Sequence, residues 1–210
     1  MTSSKTNNVS KTIVVNEGVG EYEVDKSWKD YKSSEYWDYR KKFEWIAKNK
    51  PLTIELSHTP INIEIESTYH CNLHCPYCPR TADPGSKNHK HMKLDVWNAI
   101  ISQIKNSDTK AMMMDHEGEA LLNPRLMSMI SDARDAGIID VWLHSNANLL
   151  TQKRAKELIE AGIDKLNISI DAVSEETYSK VRPGGNLHRV EENLRNFLER
   201  SLVGSKSDIL

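Results

Sequence analysis

From residue 52 onward, short apolar runs with the alternation of strands are each followed by a stretch of helical period, and the pattern recurs four times in succession. The runs are INIEIES from Ile61, KAMMMDH from Lys110, IIDVWLHS from Ile138 and DKLNISI from Asp164. Spacing and punctuation mark the helices between them. Leu94, Trp97, Ile101 and Ile104 share one face; Pro124 in the first turn and Gly137 at the end bracket the next helix; Thr151 and Gly162 start and stop a third; Ser174 caps a short fourth. A last helix carries Leu187, Val190, Leu194 and Phe197 on one stripe. Strand-helix repeats demand parallel strands joined by right-handed crossovers, so the fold class is α/β, either doubly wound or part of a barrel. Ligands bind at the carboxyl ends of the strands in both architectures. The chemically unusual residues fall there each time: the cysteines after the first strand, Glu117-Gly118-Glu119 after the second, Ser145-Asn146 after the third, and Ser169 with Asp171 after the fourth. An earlier run, LTIEL, precedes a break at His58-Thr59-Pro60; it either pairs with INIEIES as a hairpin or leaves that strand to enter the main sheet alone.

The chain has three cysteines, Cys71, Cys75 and Cys78, all within the stretch ESTYHCNLHCPYCPRT. An odd number in a chain whose start, MTSSKTNN, lacks the apolar stretch of a secretory signal is a poor disulfide framework. Three soft thiolates on so short a loop select zinc or an iron-sulfur cluster. A structural zinc needs a fourth ligand, for which His70, His74, His89 and His91 are at hand, yet the second short knuckle that usually completes such sites is missing from the sequence. A 4Fe-4S cube on three cysteines leaves one iron open for chemistry. Charge adds little to the choice: Lys plus Arg is 28 against Asp plus Glu at 30, which argues against nucleic acid or an anionic membrane as partner. No apolar run approaches the roughly 20 residues of a bilayer span, and the expected location is the cytoplasm.

A 38% apolar fraction with mean hydropathy -0.60 is low for a fully packed chain. The unpacked part is placed at residues 1–26, a polar arm in which KTIVV is the one candidate edge strand. Residues 27–51 form an aromatic amphipathic extension, with Tyr36, Tyr39, Phe43 and Ile46 on one helical face. That face either packs on the main domain or, with its interleaved lysines, stacks single-stranded nucleic acid; packing is the expectation. Met112, Met113 and Met114 are read as core filling, His89 and His91 as solvated loop residues, and His144 as either a hydrogen-bonded core histidine or a residue facing substrate.

The cysteine spacing C-x-x-x-C-x-aromatic-C, with Tyr77 as the aromatic, resembles the signature of the radical S-adenosylmethionine (radical SAM) superfamily. GEALLNP, SNANLLT and ISIDAVSEETYSKVRPGGN are similar to further motifs of that family in the same order, so the resemblance runs from about residue 61 to 200. It implies a partial (β/α) barrel in which Cys71, Cys75 and Cys78 hold three irons of a 4Fe-4S cluster and S-adenosyl-L-methionine chelates the fourth. Reductive cleavage then releases a 5'-deoxyadenosyl radical that takes a hydrogen atom from a substrate the motifs do not name. A reductant such as flavodoxin or ferredoxin is implied as partner.

By the same resemblance Glu119 accepts from the cofactor's amino group, and Gly118 lets the backbone come close. Ser169 and Asp171 face the ribose, Asn146 contacts ribose or substrate, Arg182 pairs with the cofactor carboxylate, and Tyr77 lies against the adenine or packs under the loop. Each has a local alternative: Glu119 as a helix cap, Asp171 and Asn146 as turn formers, Arg182 as an exposed helix end. The sequence departs from the family at Glu117, Ala120 and Ala147, the last standing where a glycine usually makes a left-handed turn. Residues 52–210 are read as an incomplete core, because the family barrel has more strand-helix units than the four placed here. The aromatic extension is similar to that of members with a SPASM extension, so the chain is expected to be truncated at its C-terminus. The alternatives to a radical SAM enzyme are a cluster-binding fragment without turnover and a structural zinc module.

Overall fold

The computed structural model describes residues 32–49, 59–82 and 90–203. Four parallel strands, β1 (Asn62–Glu64), β2 (Ala111–Met113), β3 (Asp140–Ser145) and β4 (Lys165–Ile168), form one sheet in the order β1-β2-β3-β4. That sequential order decides between the two expected architectures: a doubly wound sheet reverses its strand order at a switch point, whereas a barrel adds each strand beside the last. The sheet is therefore the α/β barrel segment that the four repeats imply, with about four strand-helix units. INIEIES supplies β1 and enters the sheet in parallel register with β2, Ile63 beside Met112. LTIEL, the arm 1–26 and its KTIVV run lie outside the described residues.

Chain order runs α1 (Ser34–Asn49), β1, α2 (Pro79–Ala82), α3 (Leu94–Ile104), β2, a 3₁₀ turn (Ala120–Leu122), α4 (Leu126–Asp135), β3, α5 (Gln152–Ala161), β4, α6 (Glu175–Val181) and α7 (Leu187–Val203). Right-handed crossovers put the connecting helices on one side of the sheet. There Met112, Met114, Val141 and Leu143 are fully buried in one apolar cluster with Trp97, Ile130, Leu158 and Val190. Met112 and Met114 thus fill the core as expected, while the pleat turns Met113, still buried, with its register partner Trp142 and with His144 to the opposite, inner face.

Helix punctuation matches at most ends. Thr151 accepts from Arg154 N–H and Ser174 from Thr177 N–H. Gly137 and Gly162 adopt φ of +98° and +92°, and the residue after each donates back to the last helical turn, Ile138 to Ala133 O and Ile163 to Leu158 O. Pro124 departs from expectation: it falls in the turn before α4 because Asn123 intervenes. The Asn123 side chain accepts from Arg125 N–H and donates to Ser67 O, tying the start of α4 to the loop after β1.

Helix α1 lies across the amino ends of the strands, opposite the carboxyl-end loops. Tyr36 and Tyr39 are buried against Ala111, with Trp37, Phe43, Ile61 and Ile139 packed around them. The aromatic face packs on the domain, as expected. Tyr39 Oη donates to Asp140 at 3.3 Å, Lys110 pairs with Glu35 at 2.7 Å, and Lys32 pairs with Asp164 at 2.8 Å. No described helix is long and apolar enough to cross a membrane.

Asp164 is the tie at this end. Its side chain is 4% exposed and accepts from Lys32, from Arg134 of α4 at 2.9 Å and from the Val141 N–H of β3 at 2.8 Å. Asp164→Ala strands two cations and a strand amide, and is expected to cost about 3 kcal/mol. Lys153→Ala, which loses only an exposed pair with Glu157, is expected to change stability by less than about 0.5 kcal/mol. Urea unfolding of both variants measures the difference.

Candidate functional site

The cysteine loop has little regular structure of its own and is held by contacts from either side. Leu73, at its centre, is 1% exposed, and the buried Arg80 donates from Nη2 to Leu73 O at 2.7 Å. His74 N–H donates to Pro183 O at 3.0 Å. Gly184 sits at φ +95° with its Cα so close to the loop that an added Cβ would lie 3.1 Å from Asn72 O. The RPGG stretch after α6 thus braces the cysteines from below.

On the other flank, Gly118 packs on Thr68: a Cβ there would stand 1.8 Å from Thr68 O, an impossible distance. Glu119 N–H donates to His70 O at 2.8 Å, and the Glu66 carboxylate accepts from Glu117 N–H at 2.7 Å. Gly118 thus seats the loop after β2 directly on the cysteine loop.

The loops surround a cavity of about 280 Å³. Cys71, Cys75, Cys78, Tyr77, Gly118, Glu119, Asn146, Ser169 and Arg182 all line it, so every expected site residue except Asp171 opens onto one space. The cysteines are free thiols. Burial pushes the Cys71 and Cys75 thiols above their ordinary value, and a desolvated thiolate of this kind calls for a cationic or metal partner. Among the described residues no three His, Cys, Asp or Glu side chains converge on one point. Three soft thiolates on one cavity suit the separate corners of a cube. The donor set fits an iron-sulfur cluster.

Glu119 is 3% exposed and accepts three hydrogen bonds: Ser145 Oγ and Leu121 N–H at Oε1, and Asn146 N–H at Oε2. It caps the 3₁₀ turn, as its local alternative held, and still faces the cavity. A carboxylate offers about four acceptor positions, which leaves one for a ligand. Burial raises its pKa to about 7 against the pull of those donors.

Asn146 forms the turn that was its local alternative, its Oδ1 accepting from Asn148 N–H at 3.0 Å, and its Nδ2 donates to Asn72 Oδ1 of the cysteine loop at 2.9 Å. Ala147 adopts the left-handed conformation at φ +57° despite its Cβ, because Ser145 Oγ takes its N–H and Asn193 Nδ2 takes its carbonyl.

Asp171 is not in the cavity wall and does not cap a turn; Ser174 has that place. Its carboxylate accepts from Tyr77 Oη at 2.6 Å and pairs with Arg182 Nη2, at a backbone φ of +56°. Tyr77, Asp171 and Arg182 so form one group that joins the cysteine loop to the end of α6. His91 stands beside His70, ring centroids 4.6 Å apart, with Nδ1 2.8 Å from Thr68 Oγ1, and is not a lining residue. His89 lies outside the described residues. His144 does line the cavity and is partnered by Asp115.

Sequence reasoning missed Asp115, Glu66 and Asn72. The signal for Asp115 was present, a carboxylate ending an apolar strand; Glu66 and Asn72 are loop supports that only the folded contacts reveal.

A protein-family model described as the Radical SAM superfamily matches residues 65–210. A protein of Methanococcus maripaludis named "Probable GTP 3',8-cyclase" is 30% identical over 153 residues, which are 71% of this chain and 49% of that protein. The chain spans about half the length of the curated relatives it matches. Among solved structures, native anSMEcpe with bound AdoMet superposes with a TM-score of 0.54 at 22% identity, over 67% of this chain and 41% of that one. Streptococcus suis SuiB bound to precursor peptide SuiA superposes at 0.55 with 15% identity, over 90% of this chain and 39% of that one. Both structural likenesses speak to the fold.

Gly118→Ala is expected to cost about 3 kcal/mol, since the added methyl meets backbone that cannot yield without displacing the cysteine loop. Thermal or urea unfolding measures it. Glu119 supplies a pH signature: its folded pKa of about 7 exceeds the ordinary 4.5, so folding takes up a proton between those values. Its contribution is present in full below the unfolded value and is lost as pH rises through about 7. The stability of the cofactor-free chain should fall between about pH 5 and about pH 8 more steeply than that of Glu119→Gln, as paired urea titrations will show.

Proposed function

The chain belongs to the radical SAM superfamily, and from that premise we propose that it is an enzyme, or the catalytic half of one, that cleaves S-adenosyl-L-methionine reductively to start hydrogen abstraction from a substrate. The observation that carries the proposal is the convergence of three free, half-buried or buried cysteines and the buried Glu119 on one cavity at the carboxyl ends of the strands. Cys71, Cys75 and Cys78 would hold a 4Fe-4S cluster. When bound, it supplies the electron that splits S-adenosyl-L-methionine into methionine and a 5'-deoxyadenosyl radical.

The chain's own residues do the binding and orienting. Glu119, with one acceptor position free, takes a proton-bearing amino group, and its hydrogen bonds from Ser145, Leu121 and Asn146 fix the carboxylate before the ligand arrives. Ser169 and Asn146 present polar atoms to the sugar from the third and fourth loops. Arg182 offers a guanidinium to the cofactor's carboxylate from the position where Asp171 now holds it. Tyr77, 59% exposed and part of the cavity wall, is the residue that would lie against the adenine. The reductant is proposed to be a small electron carrier such as flavodoxin or ferredoxin, and the location the cytoplasm.

Anaerobic reconstitution of the full chain is expected to yield about four irons and four sulfides per chain. Addition of reductant and S-adenosyl-L-methionine should then form 5'-deoxyadenosine, and Cys75→Ala should abolish both. A colourless protein with a single air-stable zinc would sink the proposal. Glu119→Gln replaces a charge-assisted acceptor and should weaken S-adenosyl-L-methionine binding by about tenfold or more at pH near 8, measured by equilibrium binding to the reconstituted protein.

A further inference from the structure

Arg182 enters the cavity from a main chain that is pinned on both sides. Its own N–H closes the end of α6 on Tyr178 O at 2.7 Å. The residues after it rest on the cysteine loop, where Pro183 O accepts from His74 N–H at 3.0 Å and a Cβ on Gly184 would lie 3.1 Å from Asn72 O. The backbone therefore fixes where the side chain starts. It does not fix where the guanidinium ends, because several rotatable bonds separate the two, and freedom that must be given up on ligand binding subtracts from affinity.

Asp171 supplies the missing constraint. Arg182 and Tyr77 line the cavity, and Asp171 stands behind them. Its Oδ2 takes Arg182 Nη2 and, at 2.6 Å, the Tyr77 hydroxyl. One carboxylate oxygen thus gathers a donor from the cysteine loop and a donor from the end of α6. The backbone at Asp171 is left-handed, with φ +56°, a conformation that aspartate and asparagine tolerate better than most side chains. The Arg182 side chain is 12% exposed against 42% for Asp171, so the pair straddles the rim with its cationic member inside.

The contact leaves the guanidinium incomplete. Asp171 takes Nη2, whereas Nε is buried and has no hydrogen-bond partner among the described residues. A buried donor on a cation is costly to leave unpaired, and the five N–H groups of a guanidinium can serve two carboxylates at once. Asp171 holds the group from behind, and an oxyanion in the cavity would complete it.

We propose that Asp171, anchored by the Tyr77 hydroxyl, is a positioning residue that presets the Arg182 guanidinium for the carboxylate of S-adenosyl-L-methionine and acts on the cofactor only through that guanidinium. The proposal rests on the function assigned above and on the place given there to Arg182. Asp171 removes the rotamer freedom of Arg182 before the ligand arrives, and the Tyr77 hydroxyl shares the negative charge that would otherwise oppose a second carboxylate.

Equilibrium binding of S-adenosyl-L-methionine to the anaerobically reconstituted full chain tests this in a double-mutant cycle, with iron content measured on every variant. Asp171→Asn keeps a residue that accepts the left-handed backbone and the Tyr77 hydroxyl, and removes the charge that holds Arg182. It is expected to weaken binding about fivefold in the otherwise unmodified chain and to change nothing when Arg182→Gln is already present, at equal iron content throughout. Tyr77→Phe, which keeps the ring, is expected to weaken binding about threefold. A carboxylate that only supports the cysteine loop would lower the iron content, or give the same loss with and without Arg182; either result overturns the proposal. Unchanged binding by Asp171→Asn or by Arg182→Gln overturns it as well. Tighter binding by Asp171→Asn would do the same, since Asp171 would then compete with the cofactor for Arg182. Failure of the unmodified, iron-loaded chain to bind S-adenosyl-L-methionine would instead bring down the function on which the proposal rests.

Discussion

The Glu119 carboxylate is the interaction on which the site depends. It sits in the interior with donors from its own turn and from the loop after β3 converging on it, Leu121 N–H, Ser145 Oγ and Asn146 N–H. Burying a carboxylate is costly, and the raised pKa shows that these donors only partly offset the cost. The proposed amino group of the cofactor would complete the arrangement. One acceptor position is held ready, and the surrounding backbone cannot rearrange to fill it because Gly118 is wedged against Thr68.

From that wedge the rest of the rim follows. The loop after β2 leans on the cysteine loop, the cysteine loop leans on the RPGG stretch after α6, and Asn146 reaches back to Asn72. Three cysteines on irregular chain are thereby given a fixed frame without a helix or strand of their own. The opposite end of the sheet is organised for stability instead. Asp140 and Asp164, both with nearly inaccessible side chains, tie α1, α4 and the strands together through Tyr39, Lys165, Lys32 and Arg134. The separation suits a strand-helix fold, in which loops at the carboxyl ends can vary chemically while the amino ends carry the packing.

Much of this was legible because the relevant signals are local. Strand alternation, the glycines after α4 and α5, and the threonine and serine caps act within a few residues, so they mark the same boundaries in the sequence and in the fold. Tyr36 and Tyr39 were readable as a buried face for the same reason. What the sequence left unread are contacts to partners far along the chain. Asp171 looked like a group facing the cofactor's ribose, yet Tyr77, 94 positions away, and Arg182 claim its carboxylate. Gly118 lines the cavity and also meets Thr68, a contact that no local signal announced. Ala147 stood where a left-handed turn needs glycine, and the turn forms because Asn193 and Ser145 hold it.

By itself the sequence determined the strand-helix alternation, the face each helix buries, the three-thiolate loop and the family, since periodicity, capping and cysteine spacing are properties of neighbours in the chain. Only the tertiary structure decided that the sheet runs in sequential order, that Glu119 is both a cap and a cavity acceptor, and that Asp115 stands behind His144. Those facts depend on hydrogen bonds and steric contacts between loops that are remote in sequence, and such contacts exist only once the strands have brought their carboxyl ends to one rim.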